Sequence, residues 1–347
     1  MVAVGGRNLR LFSDFWRVVK EFNPEEISRE AQQPFKVAIV GSPATDKDSL
    51  VRSLAAGAPL CLHPALVQSF DLPSEASSVQ VPTADVVIHA IDARTGFTPS
   101  DRRLAVQLYS ATRPVVFVFQ PPASVADTPQ LVTSPTAARG VVAELFGSQA
   151  PQGVVYFDAS PNGSGHQGIL RAVLAAAPQK QLAIGRSLPT ARPEVANSIV
   201  FQTSLANAQF ALLSSLPANI PIVGGMIGSG ADFVVLTKNQ AMMVFRLAAL
   251  HGRDQAPKMR ILAEIAPVVG AGFLWRTVAR AIVGFLPTAV AAVPKTAVAF
   301  VGTYLVGQAA QYYYATGRRP NSETLRSYGS EATDLWAQLF RRSAGGS

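Results

Sequence analysis

The apolar run Val37-Ala38-Ile39-Val40 is followed by Gly41–Asp48, "GSPATDKD", and then by a helical stretch. A strand, a glycine, a short loop, a lysine and a helix start have the spacing of a phosphate-binding loop. There, backbone N–H groups and the lysine ammonium share the charge of a nucleotide's phosphates. Against the pattern G-x-x-x-x-G-K-[ST], Asp46 stands for the second glycine and Asp48 for the hydroxyl residue. Asp46 adds a side chain and a negative charge where backbone must approach phosphate. Asp48 puts a carboxylate beside those phosphates where a hydroxyl normally ligates magnesium. Lys47, flanked by both, is expected to be partly neutralised by them. Ser49 supplies a hydroxyl only if the register slips by one. Gly41, Lys47, Asp48 and Ser49 therefore keep the outline of a phosphate site with its chemistry impaired.

The elements that must position this loop are βαβ units. "FKVAIVG", "DVVIHAID" (85–92), "RPVVFVFQ" (113–120) and "GVVYFDAS" (153–160) read as buried strands. They alternate with the helical stretches "SLVRSLAAG", "SDRRLAVQLYSA" and "GILRAVLAAA". Continuous Val/Ile runs alternating with helices predict an α/β domain with a mostly parallel sheet over residues 35–178. Ahead of it, residues 8–32 carry apolar side chains at helical spacing, and Pro24 with its following acids starts a second helical piece. Residues 1–34 thus read as an amphipathic lead-in that docks on the next domain or on a partner. Residues 179–194, "QKQLAIGRSLPTARPE", read as a linker.

Further along the α/β segment, the order of pieces resembles the Era-like branch of P-loop GTPases. "ADVVIHAIDARTGFTPSDRRL" is similar to that family's strand ending in D-[A/x]-[R/x]-x-G, and "DASPNGSGHQGIL" keeps Ala159, Gly163 and Gly165 of S-A-x-x-G-x-G. Asp71-Leu72-Pro73-Ser74 is the counterpart of D-x-P-G, with serine in place of the glycine that responds to the γ-phosphate. Where N-K-x-D should stand, the chain has Gln120, Pro121, Pro122 and Ala123, so the base-reading carboxylate is missing. The resemblance implies a three-layer P-loop NTPase-like fold. Residual nucleotide contacts, if kept, would fall on Gly41, Lys47, Asp48, Ser49, Asp71 and Ala159, with GTP or GDP and magnesium as ligand. With every readable motif damaged, no catalytic residue, metal or cofactor is expected.

The second half differs in character. Residues 195–231 carry no charged side chain and residues 281–317 only Lys295, while residues 191–347 hold 14 Lys/Arg against 7 Asp/Glu. Residues 1–190 are nearly balanced, 16 against 15, so +7 of the net charge of +8 lies with the apolar half. Mean hydropathy is +0.23, and β alternation is absent. This predicts an all-α hydrophobic domain over residues 195–347, packed through small residues. "LPANIPIVGGMIGSGADFVVLTKNQAMMVFRLAALHG" and "VGTYLVGQAAQYYYATGR" resemble a membrane-associated domain of unknown function that often follows such GTPases, and "FWRVVKEFNPEEISREAQQPFKVAIVG" resembles its lead-in. "GGMIGSG" (224–230) lacks a preceding strand and a lysine and reads as close helix packing or a helix break. Thr237–Gln240 form a polar cluster that lines a cavity or marks an exposed face.

"AIVGFLPTAVAAVP" and "TAVAFVGTYLVGQAAQYYYA" approach the length of a membrane span without cleanly reaching it, and both also fit a buried core. Lys295, Tyr312, Tyr313, Tyr314, Arg318 and Arg319 have the residue types of an interfacial anchor. The expected partner is an anionic membrane surface or a membrane protein, contacted peripherally or by partial insertion from the cytoplasmic side. The N-terminus has no signal-peptide pattern. Basic residues spread singly argue against nucleic acid. One cysteine, Cys61, excludes an internal disulfide, and the four histidines show no ligand spacing. The sequence thus predicts a non-catalytic, GTPase-like scaffold or regulatory protein. A working switch with divergent motifs and a soluble interaction module stand as alternatives, and oligomeric state is left open.

Overall fold

Valine and isoleucine runs without polar alternation must be covered on both faces. In the computed structural model they form one five-stranded, all-parallel sheet. The structure describes residues 24–57, 66–72, 83–121, 131–151, 153–157, 165–214, 229–257, 259–261, 264 and 295–344. The chain divides into two units, residues 32–194 and residues 195–347 together with 1–31. Helix α1 (Glu25–Ala31) therefore belongs with the C-terminal half. The remainder of the expected lead-in helix lies outside the described residues.

In the α/β unit, β1 (Val37–Gly41), α2 (Lys47–Ala55), β2 (Val67–Asp71) and β3 (Val86–Asp92) come first. They are followed by α3 (Pro99–Ser110), β4 (Val115–Gln120), α4 (Pro135–Phe146), β5 (Val154–Tyr156) and α5 (Gly165–Ala176). The spatial order is β2-β1-β3-β4-β5. Every residue of β1, β3 and β4 is buried, and these are the strands that the Val/Ile runs predict. Edge strand β2, "VQSFD", buries only Val67, which is why neither hydrophobicity nor alternation marks it in the sequence. Helix starts are chemically defined. Thr98 and Asp101 form a reciprocal capping box ahead of Pro99, and Ser134 caps α4 ahead of Pro135. Phe97 stands edge-on to Phe117 and Phe119, with centroids 5.6 and 5.8 Å apart, in the core against α3 and α4.

The segment 179–194 is not a linker. Residues 178–180 make a 3₁₀ turn, α6 (Gln181–Ser187) follows, and Leu182, Ile184, Leu188 and Ala191 are buried. Its prolines start short helical turns, and its apolar residues close onto α2, with Thr190 Oγ1 donating to Leu54 O at 3.1 Å. Polar composition suggested a tether, but four buried apolar side chains fold it in.

The helical unit contains α7 (Arg192–Leu213, from Val195 onward), α8 (Ser229–Leu250), α9 (Lys295–Thr316) and α10 (Ser322–Ala344). Helix α9 packs against α8 and α10, and every residue from 299 to 310 is buried. A helix that is apolar all round belongs in an interior, and here that interior is made of protein. No helix among the described residues is long and apolar enough to cross a membrane. Residues 281–294 and 215–228 lie outside them. A Cβ at Gly307 would meet both Val200 methyl carbons at 2.6 Å and Met243 Sδ at 3.0 Å, so the glycine sets the approach of α9 to α7 and α8. The polar cluster of residues 237–240 is now resolved. Lys238 is exposed, whereas Asn239 Nδ2 donates to Asn207 Oδ1 at 2.7 Å and Gln240 Nε2 to Thr303 Oγ1 at 3.2 Å. Fully buried Asn207 donates to Thr303 Oγ1 at 2.9 Å, joining α7, α8 and α9 through one interior network. Such networks cost little only when their members are satisfied.

If residues 179–194 are core, Leu188→Ala removes a fully buried side chain and lowers unfolding free energy by about 2–5 kcal/mol in chemical denaturation. A linker residue would change it by less than about 0.5 kcal/mol.

Candidate functional site at the carboxyl end of the sheet

Strand order reverses at β1, since the chain steps outward to β2 and then back across to β3. In open parallel sheets, ligands bind beyond the carboxyl ends of the strands at such a point. The register brings the expected residues to this end: Gly41 lies opposite Asp71 on β2 and Ala90 on β3, and Asp92 lies opposite Gln120 on β4. At Gly41 a Cβ would lie 2.6 Å from Ala90 O and 2.7 Å from Thr45 Oγ1, so only glycine fits between β3 and the loop.

After Gly41 the loop closes on itself. Thr45 donates from both its N–H (3.1 Å) and its Oγ1 (2.8 Å) to Ser42 O, and Lys47 N–H donates to Thr45 O at 3.0 Å. Asp46 accepts the Ser49 N–H at 3.0 Å as the N-cap of α2. The Lys47 ammonium reaches Ser42 O at 2.7 Å, Thr45 Oγ1 at 3.4 Å and Asp71 Oδ1 at 2.8 Å. Its side chain is 11% exposed, against 68% for Asp71. The neutralising carboxylate is therefore that of Asp71, and not those of Asp46 and Asp48. Asp46 is occupied with the helix end, Asp48 is exposed in the first turn of α2, and the β1–β2 register delivers Asp71 across from Gly41.

The N–H groups of Thr45, Lys47 and Ser49 are taken by the chain itself, and the ammonium already has three oxygen partners. Ser49 lies in the first helical turn and lines a neighbouring cleft. Ala159 lies outside the described residues. Gln120 has a role that comparison with N-K-x-D did not suggest. It is 5% exposed, and its Nε2 donates to Asp46 O at 3.0 Å, tethering the loop to β4. Its Oε1 is buried without a hydrogen-bond partner among the described residues. The strand-end stretch Asp92-Ala93-Arg94-Thr95-Gly96 folds as a turn, with Arg94 bound to both Asp92 oxygens at 2.6–3.1 Å and Gly96 at φ +63°.

Beneath the site lies a histidine–carboxylate pair that the sequence did not single out. His89 Nε2 meets Asp101 Oδ1 at 2.9 Å, and the Thr98 N–H donates to Asp101 Oδ2 at 3.0 Å. Burial pushes the Asp101 carboxyl up, but the bonds from His89 and Thr98 outweigh it and hold the carboxyl below the usual carboxylate range. The His89 ring lies among Phe97 and Phe117, at 6.1 and 5.7 Å. With both partners sealed from solvent, the pair braces β3 against α3 and has no access to substrate.

The second expected group of residues lies at the end of α9. Lys295 begins the helix, and its side chain is outside the described residues. Tyr312 and Tyr313 are half-buried, and Arg318 and Arg319 are exposed beyond the helix. Tyr314 turns inward and stacks on His251, centroids 6.2 Å apart. Burial and nearby Glu264 raise its phenol above the ordinary range. Among the described side chains of the group, Tyr312, Tyr313, Arg318 and Arg319 remain available for an interface.

No protein-family model matches the chain, and no curated protein matches it. Family membership therefore adds nothing to the geometry above.

Asp101→Asn tests the brace. A depressed carboxyl contributes stability above its unfolded value of about 3.9, and that contribution is lost as pH falls through the lower folded value. The variant should lose about 1–3 kcal/mol near neutral pH. The gap to wild type should narrow as urea denaturation is repeated below about pH 4.

Proposed function

We propose that the α/β unit is a pseudo-GTPase, a P-loop-like frame without nucleotide chemistry, and that the protein is a non-catalytic scaffold or regulatory protein at a membrane surface. The observation that carries this reading is the Lys47 ammonium, held by Ser42 O, Thr45 Oγ1 and the Asp71 carboxylate within a loop that spends its own N–H groups. Asp46 and Asp48 at the two altered motif positions, and Gln120-Pro121-Pro122-Ala123 in place of a base-reading motif, support it. A phosphate would have to displace the lysine's three partners and sit beside three carboxylates. Isothermal titration with GTP or GDP and magnesium is expected to give no binding heat, in wild type and in Lys47→Ala alike. Micromolar binding that Lys47→Ala abolishes would return the protein to the class of working switches.

Membrane contact, on this reading, is peripheral and on the cytoplasmic side. It is supported by the basic excess of residues 191–347 and by Arg318 and Arg319 exposed beside half-buried Tyr312 and Tyr313. Basic groups near an anionic leaflet contribute about 1 kcal/mol each, screened by salt. A second reading, a soluble interaction module, is favoured by the burial of residues 299–310 inside the helical unit. Flotation with phosphatidylserine vesicles separates the two. The protein is expected to float at low salt and to sink at high salt or with Arg318→Glu and Arg319→Glu combined. Wild type left at the bottom of a low-salt gradient would select the protein-partner reading.

A further inference from the structure

On the α/β unit, α2, α5 and the turn at Pro189–Ala191 line an open cleft of about 450 Å³, within the range of small-molecule sites. It is lined by Ser49, Arg52, Ser53, His166, Gln167 and Thr190, together with Ala56 and Leu170. No carboxylate is among these residues, and neither Lys47 nor loop residues 42–46 contribute. Arg52 is exposed and, among the described residues, makes no hydrogen bond or ion pair. Other arginines of this unit, Arg94, Arg113, Arg171 and Arg192 for example, are engaged by oxygens of the chain.

The histidine is held in place. His166 Nδ1 is bound to the hydroxyl of buried Ser53, and its ring stands edge-on to Phe157, centroids 5.6 Å apart at 84°. With Nδ1 occupied, Nε2 is the nitrogen left for a ligand, and fixing one ring nitrogen is how a histidine's other nitrogen is oriented for work. The former linker completes the cleft, because Thr190 is anchored to Leu54 O and Pro189 lies against Gly57, whose φ of +75° turns the chain at the end of α2. Asp48, one helical turn before Arg52, is the nearest sequence competitor for the guanidinium, yet the two do not pair.

We propose that this cleft binds a small organic anion. A phosphate or carboxylate head would lie between the Arg52 guanidinium and His166 Nε2, and its apolar body would rest on Ala56 and Leu170. An arginine fork matches either oxyanion bidentately. The proposal does not rest on the loop's inability to hold nucleotide, and Lys47→Ala serves as the control that keeps the two apart.

The test is NMR on the full chain with ¹³C-labelled histidine, the His166 ring signal being assigned by its loss in His166→Gln. Phenyl phosphate and benzoate are titrated in turn, and their relative affinity distinguishes the two heads. Saturable movement of the His166 signal by either probe is expected. It should weaken about tenfold or more in Arg52→Gln, a change on an exposed side chain, and be unchanged in Lys47→Ala. Ser53→Ala, which frees the ring, should weaken it severalfold. No saturable movement with either probe, movement that survives Arg52→Gln, or movement lost in Lys47→Ala would each overturn the proposal.

Discussion

The close approach at Gly41 governs the α/β unit. β1 runs between β2 and β3, and its last residue is pressed against Ala90 O and Thr45 Oγ1 with no room for a side chain. The chain must turn there, and the turn is tightened by Ser42 O, which accepts from Thr45 twice and from Lys47 once. Everything at the strand ends follows from that compaction. Lys47 folds back within reach of Asp71, Asp46 is left to cap α2, and Gln120 reaches across to secure the Asp46 carbonyl. Exposed ion pairs contribute little by themselves, so the Lys47–Asp71 contact, with Asp71 largely in solvent, is a consequence of the loop's shape more than its cause.

The helical unit obeys a different constraint. Its central helix α9 has apolar or small residues on every side, so a single covered stripe cannot satisfy it. The structure surrounds it, with glycine at Gly307 admitting Val200 and Met243 and with a polar network threaded through Asn207, Asn239, Gln240 and Thr303. Tyr304 ties the helix outward to Glu331 of α10 at 2.8 Å, and burial followed by that contact raises its phenol. Small residues and polar side chains are also what packs helices in a bilayer. That shared vocabulary is why the stretch 296–315 reads equally as interior or as membrane in sequence.

Much of the fold was legible because burial on two faces leaves a strong mark. β1, β3 and β4 are nearly unbroken apolar runs, and α2, α3 and α5 fall on the helical stretches that alternate with them. β2 left no such mark because it is an edge with a single buried residue, and α6 was masked by prolines and polar neighbours. At the site, the residues Gly41, Lys47 and Asp71 could be listed from motif spacing. Their pairing could not, nor could the tether from Gln120 or the brace between His89 and Asp101, since each joins residues 12 to 74 positions apart.

By itself, then, the sequence determined the parallel α/β frame, the position of the loop, the altered residues at two of its motif positions and the apolar, basic character of the second half. These are properties of residue type and local spacing. Tertiary structure alone decided which carboxylate meets Lys47, that residues 179–194 are core and wall a cleft, and that residues 299–310 are covered by protein. The reason is the same in each case. Strand register and helix packing bring together groups whose separation along the chain carries no periodic signal, and only the folded distance says which of several equivalent partners is reached.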